Sequence, residues 1–392
     1  MSILEGKFTT ANATMQRLIN SRAVLGVLRS GARPISDLAS EVGLSRTATE
    51  AIVGDLVEAG WLRAIPARTT GAGPGRPARW FEFIADAGIV GGIDIGSHTI
   101  RAAVSDLSGS IIAQTLRRVS PGLSAAARLD CAAELMRTAV AQAAVTIEDL
   151  WAVAVASPGV VQDGVVSHFI GMPQWVGQDI KAELGTRLAR PIIVENDCNA
   201  AALAERWVGQ AQGVSDLVFV LIGNRTGAGL VLNGQLYRGW RGGSGELGAL
   251  EAVGWLDAPR LVDEARVDGK AVTRKELFNA ARAGNPEARE AVAAYTGQLA
   301  IGIAGLQLTL DPQQIVIGGG VAQAGETLLA PLRQAVDRLA IVRAPQLRLS
   351  SLGADIVAVG CLRVALDEIE RRLDSVGGLT LPAPGPDLLE SP

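Results

Sequence analysis

The stretch Ile192-Ile193-Val194-Glu195-Asn196-Asp197-Cys198-Asn199-Ala200-Ala201-Ala202 runs from three apolar β-branched residues into a polar cluster, and an alanine-rich segment then continues to Trp207. That order reads as a buried strand, a polar turn at its carboxyl end and a helix. Open α/β sheets present their ligands outside the carboxyl ends of strands. Asn196, Asp197 and Asn199 are therefore expected beside a cleft. There Asp197 could take a proton from a hydroxyl that Asn196 holds. An aspartate at a strand–helix junction could equally be a helix cap. The stretch alone leaves both roles open.

Working outward, 392 residues with 48% hydrophobic and 19% charged side chains predict a soluble chain of two or three domains. No uninterrupted apolar run approaches the roughly 18 residues of a membrane span, and the N-terminus lacks the charged-then-apolar pattern of a signal peptide. A cytoplasmic protein with no membrane partner is expected. Cys131, Cys198 and Cys361 lie far apart with no metal-ligand spacing, as reduced core cysteines do. The net charge of −4 is unevenly spread. Residues 1–84 hold 10 Lys/Arg and 7 Asp/Glu, and the remainder holds 26 and 33. A basic front on an acidic body suggests that the front meets a polyanion.

Residues 1–12 read as a polar, mobile lead. From Gln16 to Leu28 apolar residues recur at helical spacing, and Gly31 closes the helix. Pro34 to Gly43 forms a short second helix, and Leu44 to Glu50 opens a third with Ile52, Val53, Leu56 and Val57 on its buried face. Two short helices joined by a glycine-bearing turn form the helix-turn-helix pattern. Its second helix starts with Ser45, Arg46, Thr47 and Thr49, side chains that reach phosphates and base edges in a major groove. Strands at Trp61–Ile65 and Arg79–Ile84 flank a loop containing Pro74-Gly75-Arg76-Pro77, which gives the wing of a winged helix. Gly-Arg-Pro arms lie in narrow minor grooves. The expected DNA contacts are Ser36, Ser45, Arg46, Thr47, Thr49, Arg76 and Arg79. A three-helix packing module is the alternative.

The remaining chain alternates strands and helices in two similar α/β lobes, each with glycine turns at strand ends. Gly92-Ile93-Asp94-Ile95-Gly96, Pro158-Gly159-Val160-Val161, Glu195-Asn196-Asp197-Cys198-Asn199, Gly227-Ala228-Gly229, Gly245-Glu246-Leu247-Gly248 and Ile317-Gly318-Gly319-Gly320-Val321 follow one another in that order. On these motifs, from Gly88 to about Leu373, the chain resembles the ROK family of sugar kinases and sugar-responsive repressors. The resemblance implies an α/β fold: an N-terminal winged helix-turn-helix followed by a two-lobed actin-like body of the sugar kinase and ribonuclease H-like type. With the front read above, the chain divides into a DNA-binding domain at 1–84 with a wing or linker at about 66–80, a first lobe at 88–195 plus 360–375, a second lobe at 196–359, and a tail at 376–392, expected to be loose because residues 377–392 hold four prolines and three glycines. The resemblance also implies a sugar-type ligand on Asn196, Asp197, Glu246, Asp257 and Gly159. The front resembles the repressor branch, since the kinases lack it.

Departures from the family pattern shape the expected function. Its first phosphate motif, Asp-x-Gly-Gly-Thr-Lys, reads here Asp94-Ile95-Gly96-Ser97-His98-Thr99, with His98 at the phosphate-binding Thr. Its second, Gly-Thr-Gly-x-Gly-x-Gly, reads Gly223-Asn224-Arg225-Thr226-Gly227-Ala228-Gly229. Arg225 replaces a glycine whose role is to let backbone N–H groups close on a phosphate. It obstructs that approach or offers its guanidinium to an anion. The zinc-binding His of the family is Ala249, and the cysteines of its zinc loop are absent, so no zinc is expected. His98 and His168 are expected at the surface or in the cleft. The Asn of the sugar motif is Gly171. Together these residues predict a DNA-binding regulator, a repressor and not an enzyme, with Asp197 a vestigial base. It needs no cofactor. Its partners are double-stranded operator DNA, a sugar or sugar-phosphate effector, and further copies of itself in a dimer or tetramer. An active sugar kinase with an appended DNA-binding domain and a ligand-independent DNA-binding scaffold are the alternatives.

Overall fold

Two mixed sheets carry the body, and a small helical head precedes them. The structure, a computed structural model, describes residues 2–66, 79–341, 345–375 and 380–389. The head holds α1 (Ser2–Arg29), β1 (Arg33–Pro34), α2 (Ile35–Val42), α3 (Arg46–Glu58), β2 (Leu62–Ile65) and β3 (Trp80–Phe83). The helix read from Gln16 thus begins at Ser2. Gly43 ends α2 at φ 68°, and its N–H turns back to the carbonyls of Ala39 and Ser40. The Ser45 hydroxyl accepts from the N–H of Ala48 and starts α3. Leu18, Leu25, Leu28, Leu38, Ile52, Val53 and Leu56 are buried among the helices. The strands pair antiparallel in the order β1-β3-β2. The loop joining β2 to β3, with Arg76, lies outside the described residues.

In the body, β4 (Ile89–Ile95), β5 (Thr99–Asp106), β6 (Ile111–Arg118), α4 (Ala125–Gln142), β7 (Leu150–Ser157), the hairpin β8 (Val160–Gln162) and β9 (Val165–His168), α5 (Ile180–Leu188) and β10 (Ile192–Asn196) come first. Their sheet has the order β10-β7-β4-β5-β6, parallel across β10, β7 and β4. Next come α6 (Asp197–Val208), β11 (Leu217–Ile222), β12 (Thr226–Leu232), β13 (Gln235–Leu236), α7 (Ala258–Asp263), the hairpin β14 (Arg266–Val267) and β15 (Lys270–Ala271), α8 (Arg274–Ala283), α9 (Pro286–Leu310), β16 (Gln314–Gly318), α10 (Glu326–Leu339) and β17 (Gln346–Leu349). These form a second sheet of order β13-β12-β11-β16-β17. The last helix, α11 (Ile356–Ser375), returns to pack on β4 and β7.

Helices α6 and α11 lie against each other between the two sheets, α6 on β11 and β12, α11 on the first sheet. Their crossing is close because Gly360 has no side chain. A Cβ there would sit 1.9 Å from the Ala200 carbonyl oxygen. Helix α9 is long and apolar enough, by length and composition, to cross a bilayer. Here it is the central helix of the second lobe, burying Val292, Tyr295, Leu299 and Ile303. All three cysteines are free and buried.

The expectation of a loose tail is corrected over residues 380–389. Leu381 is 3% exposed, and Pro386–Leu389 form a helical turn against β7 and α11. The reason is an apolar site made by Trp61 and Trp151, which no reading of local composition could anticipate.

Candidate functional site

Between the sheets lies a cleft of about 1000 Å³, lined in part by Asp94, Gly159, His168, Asp197, Cys198 and Glu246. Strand β10 delivers the polar cluster to it and α6 begins there. The question of which residue caps α6 has an answer: Asn196. Its Oδ1 accepts from the N–H groups of Cys198 and Asn199, and its Nδ2 donates to the Gly159 carbonyl at 3.0 Å. Asn196 is buried and its amide is used internally. Its expected role of holding a ligand hydroxyl is therefore corrected to holding the Pro158-Gly159 turn. Gly159 sits at φ 90°, and a Cβ would lie 2.4 Å from the His168 carbonyl oxygen, so only glycine fits.

Asp197 occupies the first turn of α6 and lines the cleft, one oxygen accepting from the N–H of Cys198 at 2.9 Å. Burial raises its carboxyl to about 7, helped by the nearby charges of Asp94 and Glu246. Burial likewise raises Asp94 to about 6, against the opposing pull of Arg101 at 3.4 Å. Glu246 is raised by burial and partly offset by His168. Asp257 does not join them. It is exposed, pairs with Arg260 at 3.3 Å and lies off the cleft lining. Of the expected ligand residues, Asp197, Glu246 and Gly159 line the cleft, and Asp94 and His168 line it with them. His168, expected at the surface or in the cleft, is carried to the cleft by the β8–β9 hairpin, near enough to Glu246 to act on its charge.

The part of the cleft formed by the two turns that match the family's phosphate motifs is bridged. Asn224 Nδ2 donates to His98 Nδ1 at 3.0 Å, joining the β11–β12 turn to the β4–β5 turn. The Arg225 guanidinium stands 6.0 Å over the Phe169 ring, a cation–π contact across the cleft. The family glycines that remain serve packing. A Cβ on Gly229 would lie 2.2 Å from the Cys198 carbonyl oxygen, and one on Gly319 would lie 2.1 Å from that of Ile222. Among the described residues no group of three or more His, Cys, Asp and Glu side chains is placed to hold a metal ion.

On the head, Ser36, Ser45, Arg46, Thr47 and Arg79 are exposed. Ser36 donates to Asp37, and Arg46 pairs with Glu50 at 3.0 Å on the surface. Thr49 is corrected: it is fully buried, and its hydroxyl donates to the Ser45 carbonyl at 3.1 Å, so it faces the core and not a groove.

The pattern of the ROK family matches residues 90–259 and 258–367. The chain belongs to the ROK family. Among ROK relatives, a glucokinase of Halalkalibacterium halodurans is 27% identical over 305 residues, covering 69% of this chain and 92% of the kinase. A xylose repressor of Caldicellulosiruptor bescii is 22% identical over 395 residues, covering 91% of this chain and 98% of the repressor. A solved ROK family transcriptional regulator, a homologue of the E. coli MLC protein, shares the fold at a TM-score of 0.69 and 22% identity, over 90% of this chain and 97% of its own. The body's two mixed sheets are thus the sugar-kinase-like fold of the ROK family.

Proposed function

We propose that the chain is a ROK transcriptional regulator, a repressor, that binds operator DNA through its head and senses a sugar or sugar phosphate in its cleft. The observation that carries this reading is the head itself. Three helices and an antiparallel sheet in the winged helix-turn-helix order leave Ser45, Arg46 and Thr47 exposed at the start of α3. A helix entering the major groove N-terminus first presents such side chains to phosphates and base edges. The likeness to a xylose repressor, over 91% of this chain, supports both the DNA partner and a sugar ligand. The protein works in the cytoplasm as a homodimer or tetramer, and two heads read an inverted repeat.

One observation favours the kinase reading: Asp197 has a general base's poise, lining a cleft beside Glu246 with a raised pKa. Phosphoryl transfer also demands a held triphosphate. The contacts of Asn224 with His98 and of Arg225 with Phe169 occupy that side. Ligand sensing without turnover fits both halves of the cleft. A ligand that binds one lobe arrangement better then shifts the spacing of the heads.

The test is DNA binding. Duplexes selected from a random pool by the full chain serve as the target, followed by fluorescence anisotropy at one salt concentration. Arg46→Ala is expected to weaken binding by about 1–3 kcal/mol and to relax preference at one base position. Wild-type affinity and preference in that variant would remove α3 from the interface.

A further inference from the structure

Full burial of Trp61 is unusual for a residue at the end of a small head domain. Its ring stacks on Phe83 at 6.3 Å and meets Trp151 of β7 edge-on at 6.1 Å. Its indole N–H, the one donor that such burial must satisfy, gives a 2.7 Å hydrogen bond to the Pro382 carbonyl. The C-terminal segment therefore completes the head. Leu381 is buried in the same apolar cluster, Leu388 packs against it, and Pro384 lies against Gly60.

A second row of contacts runs beside the first. Arg22 donates to the Leu373 carbonyl and pairs with Asp374 at 3.4 Å. Arg29 pairs with Glu370 at 2.5 Å, which Arg363 also holds at 2.7 Å. These residues join α1 to the end of α11. At its other end α11 lines the cleft with Ile356 and Val357. One continuous apolar cluster includes Leu28, Trp61 and Phe83 of the head, Trp151 of the body, Leu366 and Leu373 of α11, and Leu381.

From these contacts we infer that residues 380–389 are a strap that fixes the head to the body, so that the head moves with α11 and does not swing on a tether. Pro382, Pro384 and Pro386 suit that role. They limit the freedom of the undocked segment, which lowers the entropy lost on docking. Domains joined through a large apolar interface move as one body, whereas polar interfaces permit independent motion. The strap's meaning for regulation rests on the DNA-binding reading, but its existence does not.

Hydrogen exchange separates the two. The full chain is compared with a chain ending at residue 379 and with Leu381→Asp in the full-length protein. Exchange at residues 62–65 and 80–83 is expected to rise about five- to thirtyfold in both, the effect of losing one to two kcal/mol of local stability. Exchange in β11 and β16 is expected to stay unchanged. Trp61→Phe, which keeps a ring in place but removes the donor to Pro382, is expected to change exchange in the same direction by less, and it decides the matter if the truncated chain fails to fold. On the selected duplex, Leu381→Asp is expected to bind at least about fivefold more weakly, because its heads lose their fixed spacing. Unchanged exchange at 62–65 and 80–83 in all the variants that fold would overturn the strap. If the wild-type chain binds no DNA, the exchange result still stands, and only the regulatory reading fails.

Discussion

Gly360→Val is expected to destabilise the protein by about 3 kcal/mol or more, at the upper end of what overpacking costs. The added Cβ would lie 1.9 Å from the Ala200 carbonyl oxygen and 2.3 Å from its carbon, atoms of a helix backbone that cannot rotate away. Helices α6 and α11 would have to separate. Since α6 starts with Asp197 and α11 carries the head contacts at Glu370 and Leu373, the cleft and the head junction should loosen together. Gly54→Ala is the control. Nothing lies within 4 Å of a Cβ there, in the middle of α3. It should be neutral or stabilising by up to about 1 kcal/mol through helix propensity. Urea unfolding gives both numbers. Equal midpoints for the two variants would mean that the helices do not cross as closely as described.

The second large effect concerns pH. Asp197 titrates near 7 in the folded chain, above its unfolded value of about 3.9. In that window the folded state binds more protons than the unfolded one, so stability falls as pH rises through it. The carboxyl's favourable contribution is fully present below about 4 and lost by about 7. Asp94 behaves alike up to about 6. Asp197→Asn removes one of these charges. The variant is expected to be more stable than wild type at pH 8, by on the order of 2 kcal/mol after allowing for water in the cleft, and to match it near pH 4. Parallel stability curves from pH 4 to 8 would contradict the assignment.

Much of this arrangement could be read from residues alone. The strand–turn–helix at Ile192–Val208, the glycine turns at strand ends and the three head helices follow from local periodicity and capping, which act over a few residues. The misreadings have a common cause in long-range packing. Thr49 has the right chemistry for DNA, yet α3 turns it inward. Asn196 has the right chemistry for a sugar, yet its amide is satisfied by its own helix and by Gly159, 37 positions earlier. Asp257 was placed by a motif whose intervening loop is missing here, and it faces Arg260. The tail read as loose because residues 377–392 hold four prolines and three glycines. Its partner, Trp61, is 321 positions away from Pro382. His98 with Asn224, and Arg225 with Phe169, were visible as departures from a family pattern, but only the folded cleft makes them bridges.

The most direct test of a cleft that senses without transferring phosphate is ATP consumption by the full chain. It would be measured with hexoses, hexosamines and pentoses, and with Asp197→Asn as the control. Phosphoryl transfer needs a positioned donor as well as a base, and on the proposed reading the contacts of Asn224 with His98 and of Arg225 with Phe169 take the place of that donor. Consumption is expected to be no higher with any sugar than without, and equal in the variant. Sugar-dependent turnover in the usual enzyme range of about 1–1000 per second, abolished by Asp197→Asn, would contradict it.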